Sequence, residues 1–196
     1  MQIGILGTGK VGCSLATGFS DKSHAVMLGS REPSRPRLLS WAAEDPTHRR
    51  AGTYRATVEF GELVVFAVPG RVLSETLDAI GRDAFEGKLV IDVTNPVARD
   101  AEGRVVDFYG DDDSGAEFLQ RELPGARVVK AFNQIGASVM LHPERAAMDV
   151  LRIAGDDERA KLRVTELLEN FGWKVRDLGP LSKARALERG VIKALS

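Results

Sequence analysis

An apolar run, Gln2-Ile3-Gly4-Ile5-Leu6, leads straight into Gly7-Thr8-Gly9-Lys10-Val11-Gly12, and no other stretch constrains the fold as strongly. This G-x-G-x-x-G spacing demands a strand before the turn and a helix after it. The first glycine lets the chain leave the strand sharply, the second lets backbone lie against a pyrophosphate, and the third lets the following helix pack closely on the sheet. The N–H groups at the start of that helix then face a phosphate. The flanks fit: a helical stretch covers Lys10–Ser20, and Ala25–Leu28 reads as a second strand. About twenty residues beyond such a turn, NAD-binding chains place a carboxylate on the ribose. Here the second strand runs out into Gly29-Ser30-Arg31. A hydroxyl and a guanidinium fork suit a 2′-phosphate, so the pair points to NADP(H). The alternative is Glu32 as a ribose-binding carboxylate, which would favour NAD(H).

A chain of 196 residues builds one sizeable core, removing roughly 70% of its unfolded surface from water, and is too short for two full domains. Its net charge of −1 leaves no electrostatic footprint for nucleic acid or an anionic membrane, so the expected partner is a small molecule. Cys13 is the single cysteine. An internal disulfide is therefore impossible, a reducing compartment fits, and a buried apolar filler is the expected role. The longest apolar run, Leu63–Pro69, is far short of a membrane span, and Met1–Leu6 lacks the basic start of a signal peptide. A soluble, cytoplasmic protein is expected.

Short apolar runs alternating with helical patterns indicate α/β architecture: a Rossmann-like, doubly wound, mainly parallel sheet with a small C-terminal α/β extension. Strands are expected at Gln2–Leu6, Ala25–Leu28, Thr53–Ala56, Leu63–Ala67, Leu89–Asp92, Arg127–Ala131, Val150–Ala154 and Trp173–Asp177. Residues 1–140 form the dinucleotide-binding core of a single domain, and 141–196 an extension packed on the same sheet. Val164, Leu167, Leu168 and Phe171 recur at i, i+3, i+4 and i+7, with charges elsewhere in Asp157–Asn170, and make an amphipathic helix. The polar segment Glu32–Gly52 holds one short helix around Arg37–Ala43. The Asp- and Gly-rich Arg99–Gly115 reads as a surface loop, a solvated connection or a flap over a ligand. The final stripe Leu187, Val191, Ile192 and Leu195 serves core or interface.

Ligands of a doubly wound sheet bind outside the carboxyl ends of its strands. Those ends carry Val68-Pro69-Gly70, Thr94-Asn95-Pro96 and Phe132-Asn133-Gln134-Ile135-Gly136-Ala137, which are small, apolar or neutral amide groups. No strong acid or base stands there, whereas carbonyl or imine reduction calls for a positioned proton donor. His24, His48 and His142 are isolated and lack metal-ligand spacing. Lys130 is the one lysine close to a strand end, and alternation could equally turn it to a helix-covered face. Hydride exchange between NADPH and a flavin-like ring asks the protein mainly for stacking geometry.

The segments Gly7–Gly12, Gly29-Ser30-Arg31, Phe66-Ala67-Val68-Pro69, Asp92-Val93-Thr94-Asn95-Pro96, Val128-Val129-Lys130-Ala131-Phe132-Asn133 and Leu178-Gly179-Pro180-Leu181-Ser182-Lys183-Ala184-Arg185 together resemble the NADPH:F420 oxidoreductase family. They are also similar to the oxidoreductase domain of the membrane ferric reductases. The resemblance spans nearly the whole chain. It implies that Thr8, Ser30, Arg31 and Arg35 hold the NADP phosphates with the Gly7–Gly12 turn, including Lys10 and Val11. It further implies that Val68, Pro69, Asn95, Pro96, Asn133, Ile135 and Ala137 cradle the nicotinamide, that coenzyme F420 or else FMN or FAD is the acceptor, and that the protein is a homodimer. Asn133 and Gly136 stand where archaeal members carry His and Pro; the Asn form is similar to the ferric-reductase domain. A non-catalytic NADPH-binding redox sensor or docking module is the alternative function. A large helical substrate domain, which a hydroxy-acid or imine reductase would need, has no room in 196 residues.

Overall fold

A computed structural model describes residues 1–195. The strands are β1 (Gln2–Leu6), β2 (Ala25–Gly29), β3 (Arg49–Gly52), β4 (Leu63–Phe66), β5 (Leu89–Asp92), β6 (Val97–Arg99), β7 (Val105–Asp107), β8 (Arg127–Lys130), β9 (Val150–Gly155) and β10 (Lys174–Asp177). Eight of them form one sheet in the order β10-β9-β8-β5-β4-β1-β2-β3, and β6 and β7 make a separate hairpin. Every pairing in the large sheet is parallel except β8 with β9. The chain order reverses between β1 and β4, the position at which a doubly wound sheet opens a ligand crevice.

Both faces of the sheet are covered, which explains why β4 and β5 are buried at every position. Successive residues on a strand point to opposite faces. Val65 and Val129 join a cluster with Leu15 and Phe19 of α1 (Lys10–Asp21) and with Val164 and Leu168 of α6 (Glu158–Glu169). Val64, Phe66 and Val128 join the opposite cluster, with Leu73 and Leu77 of α4 (Leu73–Ile80), Leu119 of α5 (Gly115–Glu122) and Ala184 of α7 (Ala184–Leu195). The remaining helices are α2 (Pro36–Glu44) and α3 (Tyr54–Phe60). The Asp157 side chain accepts from the Ala160 N–H and starts α6, where Val164, Leu167 and Leu168 are buried as their spacing requires. Of the last stripe, Leu187 and Ile192 are buried, and Leu195 stays 56% exposed. Among the described residues no helix is long and apolar enough to cross a membrane.

Three expectations are corrected. Thr53–Ala56 is not a strand. Thr53 is the N-cap of α3, its hydroxyl accepting from the Ala56 N–H, and the edge strand lies just before it at Arg49–Gly52. β3 escapes an apolar search because its two arginines cover the two faces of an edge strand, the Arg49 side chain only 10% exposed. Arg49 reaches Glu44 and Asp21, and the Arg50 guanidinium lies over the Phe60 ring. Arg99–Gly115 is also more than a loop, since Val97–Arg99 pairs antiparallel with Val105–Asp107. Trp173, expected in the last strand, precedes β10, where its buried indole N–H donates to the Met140 carbonyl at 2.8 Å.

Candidate functional site

At the carboxyl end of β1 each motif glycine meets a distinct steric demand. Gly7 sits at φ +115°, and a Cβ there would come within 2.4 Å of the Ala67 carbonyl oxygen. A Cβ on Gly12 would stand 2.0 Å from the Gly7 carbonyl oxygen, so helix and turn touch backbone to backbone. Gly9 is the opposite case: a Cβ would meet nothing within 4 Å. That open position lies at the N-cap of α1, which no side chain caps, so the first-turn N–H groups are left for a ligand. The turn fits a pyrophosphate on these grounds. Lys10 is exposed and Val11 half-buried at the start of the helix.

Beyond β2 the turn opens into a cleft of about 570 Å³ lined by Thr8, Ser30, Arg35, Arg37, Leu28 and Trp41, among others. Ser30 Oγ accepts from the Glu32 N–H at 3.0 Å, which fixes the hydroxyl at the strand end. Arg35 pairs with Glu32 at 2.8 Å, a fully solvated pair. That carboxylate, the alternative ribose ligand, is therefore turned to an arginine. Arg31 is exposed and is not among the cleft-lining residues. Sequence reasoning passed over Arg37 and Trp41. A signal existed: Arg35 and Arg37 sit at the N-cap and in the first turn of α2, which holds no acidic residue. Cations there oppose the helix dipole, an arrangement that suits a bound anion. The Trp41 indole donates to Thr17 Oγ1 of α1 at 3.1 Å and closes the cleft wall. Cys13 also lines the cleft; burial pushes its thiol up, against a smaller pull from Arg37.

The other strand ends converge. A Cβ on Gly70 would meet the Asn95 carbonyl oxygen at 2.7 Å and Pro96 Cα at 2.9 Å, so the loops after β4 and β5 lie backbone against backbone. Asn95 Nδ2 donates to the Asn133 carbonyl at 2.9 Å, and Asn133 Nδ2 donates to Asn95 Oδ1 at 3.0 Å, joining the loops after β5 and β8. Ser14 Oγ of α1 donates to the Ala137 carbonyl at 2.9 Å and draws the far end of that loop back to the glycine turn. Val68 and Pro96 are buried, Pro69 is exposed, and Asn95, Ile135 and Ala137 are half-buried. Behind them the hairpin acts as a buttress: the Phe108 N–H donates to the Pro96 carbonyl at 2.8 Å, and the Tyr109 hydroxyl to the Gly70 carbonyl at 3.4 Å. Burial pushes the Tyr109 phenol up, reinforced by the Asp92 and Glu188 charges.

Lys130 is fully buried, on the face of Val128 and not that of Val129. Its Nζ donates to Asp92 Oδ2 at 2.8 Å, to the Thr94 carbonyl at 2.6 Å and to Glu188 Oε1 of α7. Burial alone would lower its pKa; the Asp92 and Glu188 charges more than reverse this and hold the ammonium charged. Burial also pushes Glu188 up to about 7, against the pull of Lys130 and with the help of Asp92. An ammonium with three donors and three acceptors has no proton free for a substrate, which removes Lys130 as a proton donor.

Residues 2–96 match the family described as NADP oxidoreductase, coenzyme F420-dependent. The F420-dependent NADP reductase of Methanothermobacter marburgensis is 31% identical over 201 residues, a match taking in 96% of this chain and 88% of that protein. Metalloreductase STEAP3 of Rattus norvegicus is 31% identical over 187 residues, and the chain spans 36% of its length. A crystal structure of a protein described as a putative F420-dependent NADP reductase, from Arthrobacter sp. FB24, superposes with a TM-score of 0.89 at 34% identity, covering 96% of this chain and 89% of that one.

Proposed function

Given that the chain belongs to the family of coenzyme F420-dependent NADP oxidoreductases, we propose that it passes a hydride between NADP(H) and a flavin-like acceptor, coenzyme F420 in the first place. The observation that carries this reading is the character of the convergent strand ends. They present paired amides, prolines and small residues over a turn with room for a pyrophosphate, and the ionisable groups beneath them, Asp92, Lys130 and Glu188, are buried and bonded to one another. A ring-to-ring hydride exchange asks for that kind of platform, since the remaining proton exchanges with water. When bound, NADP(H) supplies the hydride.

This chain's residues do the rest. The Gly7–Gly12 turn and the open N-terminus of α1 hold the pyrophosphate, with Lys10 and Val11 alongside. Thr8, Ser30, Arg31 and Arg35 hold the 2′-phosphate, with Arg37 at the cleft wall. Val68, Pro69, Asn95, Pro96, Asn133, Ile135 and Ala137 orient the nicotinamide. Residues 1–196 act as one domain, residues 141–196 serving as an extension of the core. Two copies pair through the exposed side of α7, where Ala186, Gly190, Val191, Ala194 and Leu195 line an apolar groove. Sedimentation of the purified protein tests that pairing.

Mixing the protein with NADPH and, separately, F420, FMN and FAD while following NADPH absorbance tests the activity. Fastest turnover with F420 is expected. Turnover confined to FMN or FAD reassigns the acceptor, and tight NADPH binding with no turnover on any of the three overturns the catalytic reading.

A further inference from the structure

We propose that Lys130 and Glu188 are positioning residues for the nicotinamide loops: Lys130 holds the Thr94 carbonyl in place, and Glu188, reaching in from the C-terminal helix, holds Lys130. The proposal rests on the assignment of those loops to the nicotinamide made above. Thr94 immediately precedes Asn95-Pro96 and is pinned at both backbone groups. Its N–H donates to Asp92 Oδ1 at 2.9 Å, and its carbonyl accepts from Lys130 Nζ at 2.6 Å. Its own hydroxyl is buried without a partner, so the backbone contacts alone define where the loop departs. One residue later Asn95 makes the reciprocal amide pair with Asn133. Asn133 in turn follows Phe132, a buried bulky residue at φ +61°. Such a residue enters the left-handed region only where its surroundings over-determine it. Lys130 lies two positions before this strained residue and one bond from Thr94, so a single ammonium references both loops to the sheet.

Glu188 completes the clamp from a distance in sequence. One of its carboxylate oxygens takes the Lys130 ammonium and the other accepts from the Gly115 N–H at the start of α5, at 3.1 Å. The packing is close: a Cβ on Gly115 would touch Thr94 Oγ1 at 3.4 Å and Glu188 Oε1 at 3.5 Å. A buried cation between two carboxylates is a poor device for stability, because desolvation offsets the attraction and apolar residues of similar volume often do as well. Such a cluster is, however, directional, since its hydrogen bonds fix angles that apolar packing leaves soft. It stands directly beneath the two loops whose geometry the reaction needs, and Asp92, Lys130 and Glu188 are all fully buried. Lys130 and Glu188 thus act through Thr94, Asn95 and Asn133.

The test uses Glu188→Gln, which keeps side-chain size and the acceptor for Gly115, and Lys130→Met. Three quantities are read: the affinity of 2′,5′-ADP, which reports only the adenosine half of the site; the change in NADPH nicotinamide fluorescence on binding; and the melting temperature. In both variants 2′,5′-ADP affinity should stay within about twofold, as for independent sites. The nicotinamide signal should vanish in Lys130→Met and shrink in Glu188→Gln. Hydride transfer, followed with the best acceptor, should fall on the order of 10²-fold with a much smaller change in KM for NADPH. Variants that melt lower yet keep the parent's nicotinamide signal would overturn the proposal and leave the cluster a purely structural one. If Lys130→Met does not fold, Glu188→Gln decides by the same signal. A parent protein that binds NADPH with no nicotinamide signal at all overturns the seat and this inference together. Signals that respond as expected in a protein that reduces no acceptor support the inference and overturn only the catalytic reading.

Discussion

Replacing Gly9 by Val separates a binding role of the glycine turn from a structural one. Gly9 has φ −74° and ψ −179°, extended backbone open to any L-residue, and a Cβ there meets no protein atom within 4 Å. The folded chain can therefore accommodate Val without strain. At an N-cap the exchange costs about 1 kcal/mol, and removing a glycine from the unfolded chain returns about 0.4–1 kcal/mol. The net change is below about 1 kcal/mol, a melting shift of less than about 4 °C for a chain of this size. Binding should respond very differently, because the branched side chain fills the space above the open N–H groups of α1. Loss of two charge-assisted hydrogen bonds at about 1.5–3 kcal/mol each corresponds to roughly two to four orders of magnitude in NADPH affinity. Gly12→Ala is the complementary control, since its Cβ would lie 2.0 Å from the Gly7 carbonyl oxygen and should destabilise the fold by about 1–3 kcal/mol. Circular dichroism melts and calorimetric NADPH titrations on the same samples read both quantities. Gly9→Val protein that binds NADPH within tenfold of the parent would refute the placement of a pyrophosphate over this turn.

Arg31→Ala should weaken NADPH by about tenfold to a hundredfold, the loss of one charge-assisted pair, and leave NADH nearly unchanged; calorimetry showing NADH bound more tightly than NADPH by the parent would instead favour Glu32 as a ribose ligand. Ala137→Leu should slow hydride transfer on the order of 10²-fold while NADP⁺ still binds through its phosphates, because the anchoring bond from Ser14 goes to the backbone carbonyl and survives the change; unaltered turnover would move the ring site elsewhere. Glu188, raised by burial to about 7, favours the fold while protonated, so its contribution is full below the ordinary carboxylate pKa and is lost as pH rises through about 7. Lys130 and Tyr109, which face it, are both pushed up and do not titrate in that window. The melting temperature of the parent should thus fall more between about pH 5 and about pH 8 than that of Glu188→Gln, and equal slopes in the two proteins would refute the assignment.

Strands buried on both faces announce themselves as continuous apolar runs, which is why β1, β4, β5 and β8 were legible from residues alone. β3 was not, because an edge strand needs no apolar run. Arg49 and Arg50 are satisfied by Glu44, Asp21 and the Phe60 ring, all remote in sequence or on a neighbouring helix. Thr53–Ala56 was expected as a strand, whereas the Thr53 hydroxyl is the start signal of α3. The hairpin of β6 and β7 has only three residues per strand, too few for a periodic signal to rise above its Asp- and Gly-rich surroundings.

The roles of Gly7, Gly9 and Gly12 belong to the sequence by itself, since they follow from local sterics: a positive φ, an open approach and a helix packed on its own turn. The same holds for the α/β alternation and for Ser30 at the end of the second strand. Only the tertiary structure decided what Lys130 does. Strand parity left two faces open to it, and the choice depended on Glu188, 58 positions away on another helix, with Asp92 and the Thr94 carbonyl completing its three bonds. The pairing of Asn95 with Asn133 across 38 positions was equally closed to a linear reading. The physical reason is that backbone sterics act over a few residues. The partner of a buried polar group, by contrast, is whichever group the packed sheet and helices bring within 3 Å or so of it.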